Sequence, residues 1–107
     1  MYEYQADLAR VVDGDTVDLV VDLGFHIYAK TRFRQAGIDT PERGQPGWAE
    51  ATAALAALLA GGIQRIETIK TDKYGRWLAV IWTPEGVNVN LQMIADGHAL
   101  PYYGGSR

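Results

Sequence analysis

The order of elements in this chain predicts a small, mostly antiparallel β-barrel with helices packed on it. Three observations carry that expectation. Five short segments have strand-like composition, and the second and third alternate apolar and polar residues with period two. One stretch between them has helical spacing. Turn residues separate the segments at short intervals. With 107 residues, 48% of them hydrophobic and 21% charged, the chain fits one domain over residues 1–107 and is not the composition of a disordered tail.

Tyr2 to Val12 mixes aromatic, polar and β-branched residues and reads as the first strand. Asp13-Gly14-Asp15 is a tight turn in which Gly14 is free to take a positive φ. Thr16 to Asp22 alternates, with Val17, Leu19 and Val21 on one face. After Leu23-Gly24, the segment Phe25 to Ile38 reads as a long third strand. Phe25, Ile27, Ala29 and Phe33 lie on one of its faces, and His26, Tyr28, Lys30, Arg32 and Arg34 on the other. A polar loop, Asp39 to Gly47, leads into the clearest helix, Trp48 to Ala60, with Trp48, Ala51, Thr52, Leu55, Leu58 and Leu59 at helical spacing. Gly61-Gly62 ends it.

Ile63 to Ile69 and Trp77 to Trp82 are two further strands, joined by the polar connection Lys70 to Arg76. Thr83 to Gly86 is a turn. Asn88 can cap a short last helix in which Leu91, Ile94, Ala95 and His98 share a face. The tail from Pro101 holds Tyr102 and Tyr103 and then a fraying Gly104-Gly105-Ser106. Three strands, a helix, two strands and a short helix suit the five-stranded oligonucleotide-binding barrel. An open α+β sheet has the same order.

The composition excludes several classes. Without cysteine there is no disulfide framework, thiolate zinc site or cysteine nucleophile. No apolar run approaches the roughly 18 residues of a membrane span, so no membrane partner is expected. The N-terminus lacks the basic start and apolar run of a secretory signal, so a cytoplasmic location is the expectation for a complete chain. A net charge of −3 speaks against non-specific binding to nucleic acid through charge alone. Gly-rich phosphate loops, dinucleotide fingerprints and His-Glu-x-x-His helices are absent.

Three polar clusters interrupt the core-like segments: Asp13 to Thr16, Arg32 to Arg34 leading into Asp39 to Arg43, and Asp72 to Arg76. The aspartates invite a metal reading. An EF-hand is rejected because Val17 and Asp18 stand where its loop needs Asp or Asn and then Gly. Asp15 and Asp39 can still meet around a hard cation; alone, Asp13-Gly14-Asp15 is an ordinary turn. The arginines suit a phosphate, since guanidinium groups make paired hydrogen bonds to oxyanions. Taken singly they are solvated or paired with carboxylates. Cation, arginines and a carboxylate base are together what phosphodiester cleavage requires. Trp48, Trp77 and Trp82 read as core, and His26 and His98 as surface or half-buried. Tyr102 and Tyr103 stand open between packing and ligand contact.

Four segments then carry a resemblance: Val12-Asp13-Gly14-Asp15-Thr16-Val17, Phe33-Arg34 to Ile38-Asp39-Thr40-Pro41-Glu42, Asp72-Lys73-Tyr74-Gly75-Arg76, and Val89-Asn90 to Gly97. In order and spacing they resemble the staphylococcal (micrococcal) nuclease-like, or thermonuclease, family. The resemblance implies an oligonucleotide-binding barrel and calcium-dependent hydrolysis of DNA and RNA that leaves 3′-phosphate ends. It implies calcium ligation by Asp15, Asp39 and the backbone carbonyl of Thr40, with Asp13 behind them. It implies Glu42 as general base and Arg34 and Arg76 as the grip on the scissile phosphate. Lys73 and Tyr74 match positions that contact the substrate's terminal phosphate, and Tyr103, next to Tyr102, falls near a tyrosine lining the nucleotide pocket. The chain departs from the family in its acidic balance, in a short stretch between Glu42 and Asp72, and in a truncated C-terminal helical part. A compact acidic nuclease of this kind suits a bacteriophage or mobile element. The competing reading is a non-catalytic nucleic-acid-binding or scaffold module on the same barrel.

Overall fold

The computed structural model describes residues 2–69, 71 and 74–102. Its elements are β1 (Tyr2–Asp13), β2 (Thr16–Asp22), β3 (Tyr28–Gln35), β4 (Ile38–Asp39), α1 (Trp48–Leu59), β5 (Arg65–Ile69), β6 (Trp77–Trp82), α2 (Val89–Ala95) and β7 (Leu100–Pro101). Five strands close a barrel in the order β1-β2-β3-β6-β5, so the open sheet is set aside. Among the described residues only the β3–β6 seam is parallel. A parallel pair needs a crossover, and α1 with β5 supplies it.

Closure depends on β1, which serves two neighbours. Tyr2 to Tyr4 pairs with β5, and Gln5 to Asp13 pairs with β2. Register shifts between Leu8 and Arg10 and between Val11 and Asp13 interrupt the second pairing. Such bulges bend a strand and increase its twist, which lets one strand turn the corner between two partners.

The alternation read in β2 holds: Val17, Leu19 and Val21 are buried and the residues between them half-buried. Phe33, Ile66, Ala79 and Ile81 join them from β3, β5 and β6, and α1 covers the interior with Ala51, Leu55 and Leu59. Each fully buried Leu or Ile contributes roughly 1.5–3 kcal/mol relative to exposure. From α2, Val89 and Met93 complete the core. Asn88 caps this helix, its side chain accepting from Leu91 N. Asn90 is buried and ties α2 to the barrel, donating to the carbonyls of Ala36 at 2.9 Å and Ala79 at 3.0 Å and accepting from Ile81 N at 3.3 Å.

Several expectations need correction. The third strand does not run from Phe25 to Ile38. Phe25 and His26 take left-handed φ values of 56° and 60° in the β2–β3 connection, and Phe25 is 96% exposed. Ile27 is exposed too, because period two assigns a core face only while the strand lasts. At the other end the chain turns at Ala36-Gly37, and the short β4 pairs with β7 instead of prolonging β3. The last helix buries Val89, Asn90 and Met93, and Leu91 is exposed. Seven residues are too few for spacing to choose between two apolar stripes. The tryptophans are not core: Trp77 is 49% exposed, and Trp48 and Trp82 are half-buried with their indole nitrogens bonded to carboxylates. Gly104 to Ser106 lie outside the described residues.

Candidate functional site

Three pieces of backbone bring the site together. The β1–β2 hairpin presents Asp15 just before Thr16, and the β2–β3 register sets Thr16 opposite Arg34. After the Ala36-Gly37 turn, β4 returns Asp39 and Thr40 to the same place, held by its pairing with Leu100 and Pro101. Tyr102 N donates to Gly37 O at 2.8 Å and pins that return.

Arg34 is the hub. Its Nη2 lies 3.1 Å from Asp39 Oδ1 and 3.4 Å from Asp15 Oδ2, and its side chain is only 5% exposed. The ring of Tyr102 covers it, 4.9 Å from the guanidinium carbon to the ring centroid. Asp15 Oδ2 also accepts from Thr40 N at 3.1 Å, and Asp15 Oδ1 accepts from the Thr16 hydroxyl at 3.0 Å. Charges taken out of water must be paired and hydrogen-bonded to be tolerated.

Gly14 works by size, which corrects the expectation of a positive φ: its φ is not among the positive ones. A Cβ there would stand 2.8 Å from Ala51 Cβ and 3.0 Å from Thr40 Oγ1. The hairpin therefore packs directly on α1 and on Thr40. Gln35, fully buried, donates from Nε2 to Gly14 O at 3.0 Å and fixes the hairpin from the other side.

Asp13, Asp15, Arg34, Thr40, Glu42 and Arg76 all line one cleft of about 350 Å³. Six of the residues singled out by the sequence thus share a wall. Asp39 reaches Arg34 but lines a second cavity of about 410 Å³ that includes His98, and Thr40 and Pro41 line both. Glu42 is exposed in a turn closed by Glu42 N donating to Gln45 Oε1 at 3.0 Å and Gln45 N donating to Glu42 O at 2.9 Å. Arg76 packs over the exposed ring of Tyr74 at 5.1 Å. Lys73 and Tyr103, the other expected substrate contacts, lie outside the described residues. Among the described residues no three His, Asp or Glu side chains gather into a metal-holding group, so a cation here would also need backbone or water oxygens.

One arrangement at the cleft carried no role in the sequence reading. Trp48 Nε1 donates to Asp13 Oδ1 at 2.7 Å, and the Arg43 guanidinium lies over the indole at 5.0 Å. Arg43 lines the same cleft. The available signal was a tryptophan at the first position of α1 with an arginine in the loop before it, which a helical-face reading of Trp48 as core obscures.

The chain has clear relatives. A family model described as "Staphylococcal nuclease homologue" matches residues 32–106. Protein ParB of Escherichia coli is 32% identical over 108 residues, covering 94% of this chain and 58% of its own length. The micrococcal nuclease of Shigella flexneri is 31% identical over 108 residues, covering 94% and 59%. Endonuclease YhcR of Bacillus subtilis is 30% identical over 115 residues, covering 94% of this chain and 9% of its own. The chain therefore spans 58–59% of the length of the first two. Among the described residues no helix is long and apolar enough to cross a membrane.

Proposed function

The chain belongs to the family of staphylococcal nuclease homologues, and from that premise we propose that it hydrolyses phosphodiester bonds of DNA or RNA with a calcium ion in the Arg34 cleft. The observation that carries this reading is the meeting of Asp15 and Asp39 on one Arg34 nitrogen, beside a cleft shared with Glu42 and Arg76. The names of the Shigella and Bacillus relatives, a nuclease and an endonuclease, support it.

The donor set suits calcium. Every candidate ligand is an oxygen, as a hard cation prefers. Thr40 Oγ1 is also buried and has no hydrogen-bond partner among the described residues, so it leaves polar capacity in this corner. Asp15, Asp39 and the Thr40 carbonyl would hold the ion, with water completing its shell. When bound, it draws charge from the phosphate.

The remaining roles fall to the protein's own groups. Arg34 and Arg76 donate to the non-bridging phosphate oxygens, where negative charge grows in the transition state. Glu42 accepts a proton from the water that attacks phosphorus. The P–O5′ bond breaks, leaving a 3′-phosphate and a 5′-oxygen that takes its proton from solvent. Burial of Arg34 keeps its donors aimed without reorganisation.

The test is cleavage of single-stranded and duplex DNA in about 5–10 mM Ca²⁺, a concentration on the order of weak-site affinities, against EDTA, with Glu42→Gln alongside. Calcium-dependent cutting that falls about 10²-fold or more in the variant is the expected result. Intact DNA in every lane, from folded protein that takes up calcium, would replace this reading with the non-catalytic binding module.

A further inference from the structure

The geometry points to a second phosphate subsite: we propose that Arg43, carried on the face of Trp48, binds a phosphodiester next to the one that is cut. The cleft then holds a polynucleotide at two phosphates. The proposal rests on the phosphodiesterase reading of the same cleft and adds what the cleft prefers, a strand over a single phosphodiester.

The comparison among arginines carries the argument. Arg32 is paired with Asp18, and Arg65 with Glu3 and Glu67. Arg34 is shared by Asp15 and Asp39. Arg43 faces no carboxylate among the described residues, yet it is not left to wander, because the indole of Trp48 supports its guanidinium at 5.0 Å. That indole is itself anchored, through Nε1, to Asp13 at 2.7 Å. A guanidinium held over a ring by cation–π attraction still has N–H groups to offer an acceptor. A guanidinium on the wall of the cleft, with no ion-pair partner among the described residues, fits a phosphate, which accepts its bonds in pairs.

Net charge points the same way. A chain of −3 has no general attraction for a polyanion, so its grip must come from a few placed cations. Three of its seven arginines line this one cleft. Arg34 is buried between carboxylates and suits the reacting phosphate, whereas Arg43 is exposed and can meet a neighbour along the strand.

The experiment uses the full chain with Glu42→Gln, so that the strand survives in calcium. Fluorescence anisotropy reads the binding of a labelled single-stranded octanucleotide as salt is varied, and an unlabelled dinucleotide competes to report the one-phosphodiester affinity. Adding Arg43→Gln should weaken octanucleotide binding about tenfold, as loss of a charge-assisted hydrogen bond would. It should lower the salt slope by about 0.7, the share of one phosphate contact on a single strand. The dinucleotide should lose much less. Arg43→Lys should recover the salt slope but only part of the affinity, and Trp48→Leu, checked for folding by circular dichroism, should reproduce the octanucleotide loss. Equal losses on both ligands, or an unchanged salt slope, would overturn the subsite. If Arg43 behaves as stated while the parent chain cuts nothing, the hydrolytic reading fails and the subsite stands. If the parent cuts and Arg43→Gln binds as the parent does, only the subsite fails.

Discussion

Arg32 and Arg34 stand two residues apart on β3, on the same face by strand period, and each meets an aspartate from β2 or its hairpin. Their fates differ. The Arg32 side chain is 60% exposed and clasps Asp18 through Nε at 2.8 Å and Nη2 at 3.2 Å. The Arg34 side chain is 5% exposed and divides one nitrogen between two carboxylates. The better-formed pair, by distance, is the one in water. What separates them is the return of β4 and β7, which lays Asp39, Thr40 and Tyr102 over Arg34 and leaves Arg32 uncovered. An exposed ion pair gains little because water competes for both partners. A buried one is costly to break because water cannot replace the lost partner.

The largest effect should follow Arg34→Gln, which removes the buried guanidinium that Asp15 and Asp39 share. A loss of roughly 3–5 kcal/mol in urea unfolding is expected. Any cleavage activity should drop about 10²–10³-fold, as for other preorganised donors. Calcium sharpens the comparison. If these carboxylates hold the ion, calcium should raise the midpoint of the variant more than that of the parent. No stabilisation of either would refute the ligand set.

Gly14→Ala comes next. The added methyl meets Ala51 Cβ at 2.8 Å, so the hairpin must move away from α1 at a cost of about 1–3 kcal/mol. Thermal unfolding would measure it. Pairing it with Ala51→Gly should recover part of the loss if the clash is the cause, less the roughly 1 kcal/mol that a helical glycine costs. Recovery of nothing would place the damage elsewhere in the hairpin.

The smallest effect belongs to Asp18→Asn. The hydrogen bond from Arg32 holds the Asp18 carboxyl below the usual carboxylate range. A lowered native pKa means that the carboxylate's contribution is present above its unfolded value and fades as pH falls through the lower, folded one. At pH 7 the variant's unfolding midpoint should barely move. In acid, the gap between parent and variant should close. A large loss at neutral pH would mean that the exposed pair matters as much as the buried one, and the contrast drawn here would fail.

Legibility in the sequence followed how local each signal was. The β2 alternation, the Asn88 cap and the α1 stripe were readable because they depend on neighbours within a turn or a strand. Phe25 was misread because the pattern cannot tell where a strand stops, and β4 was missed because a two-residue strand has no period. The clustering of Asp13, Asp15, Arg34, Glu42 and Arg76 was expected from motif resemblance, with no contact derivable from spacing alone. The Asp13–Trp48–Arg43 stack had no such guide. It joins a hairpin, a loop and a helix start that meet only when the barrel closes.

Residue types and their order determined, by themselves, a strand-rich element order without cysteine, carrying the acid and arginine motifs of its family. Those properties reside in composition and short-range pattern, which need no fold to exist. Which arginine is buried, why Gly14 must be small and which tryptophans donate to carboxylates were decided by tertiary structure alone. Burial and pairing depend on groups distant in the chain, and only the closed barrel brings them within hydrogen-bond range.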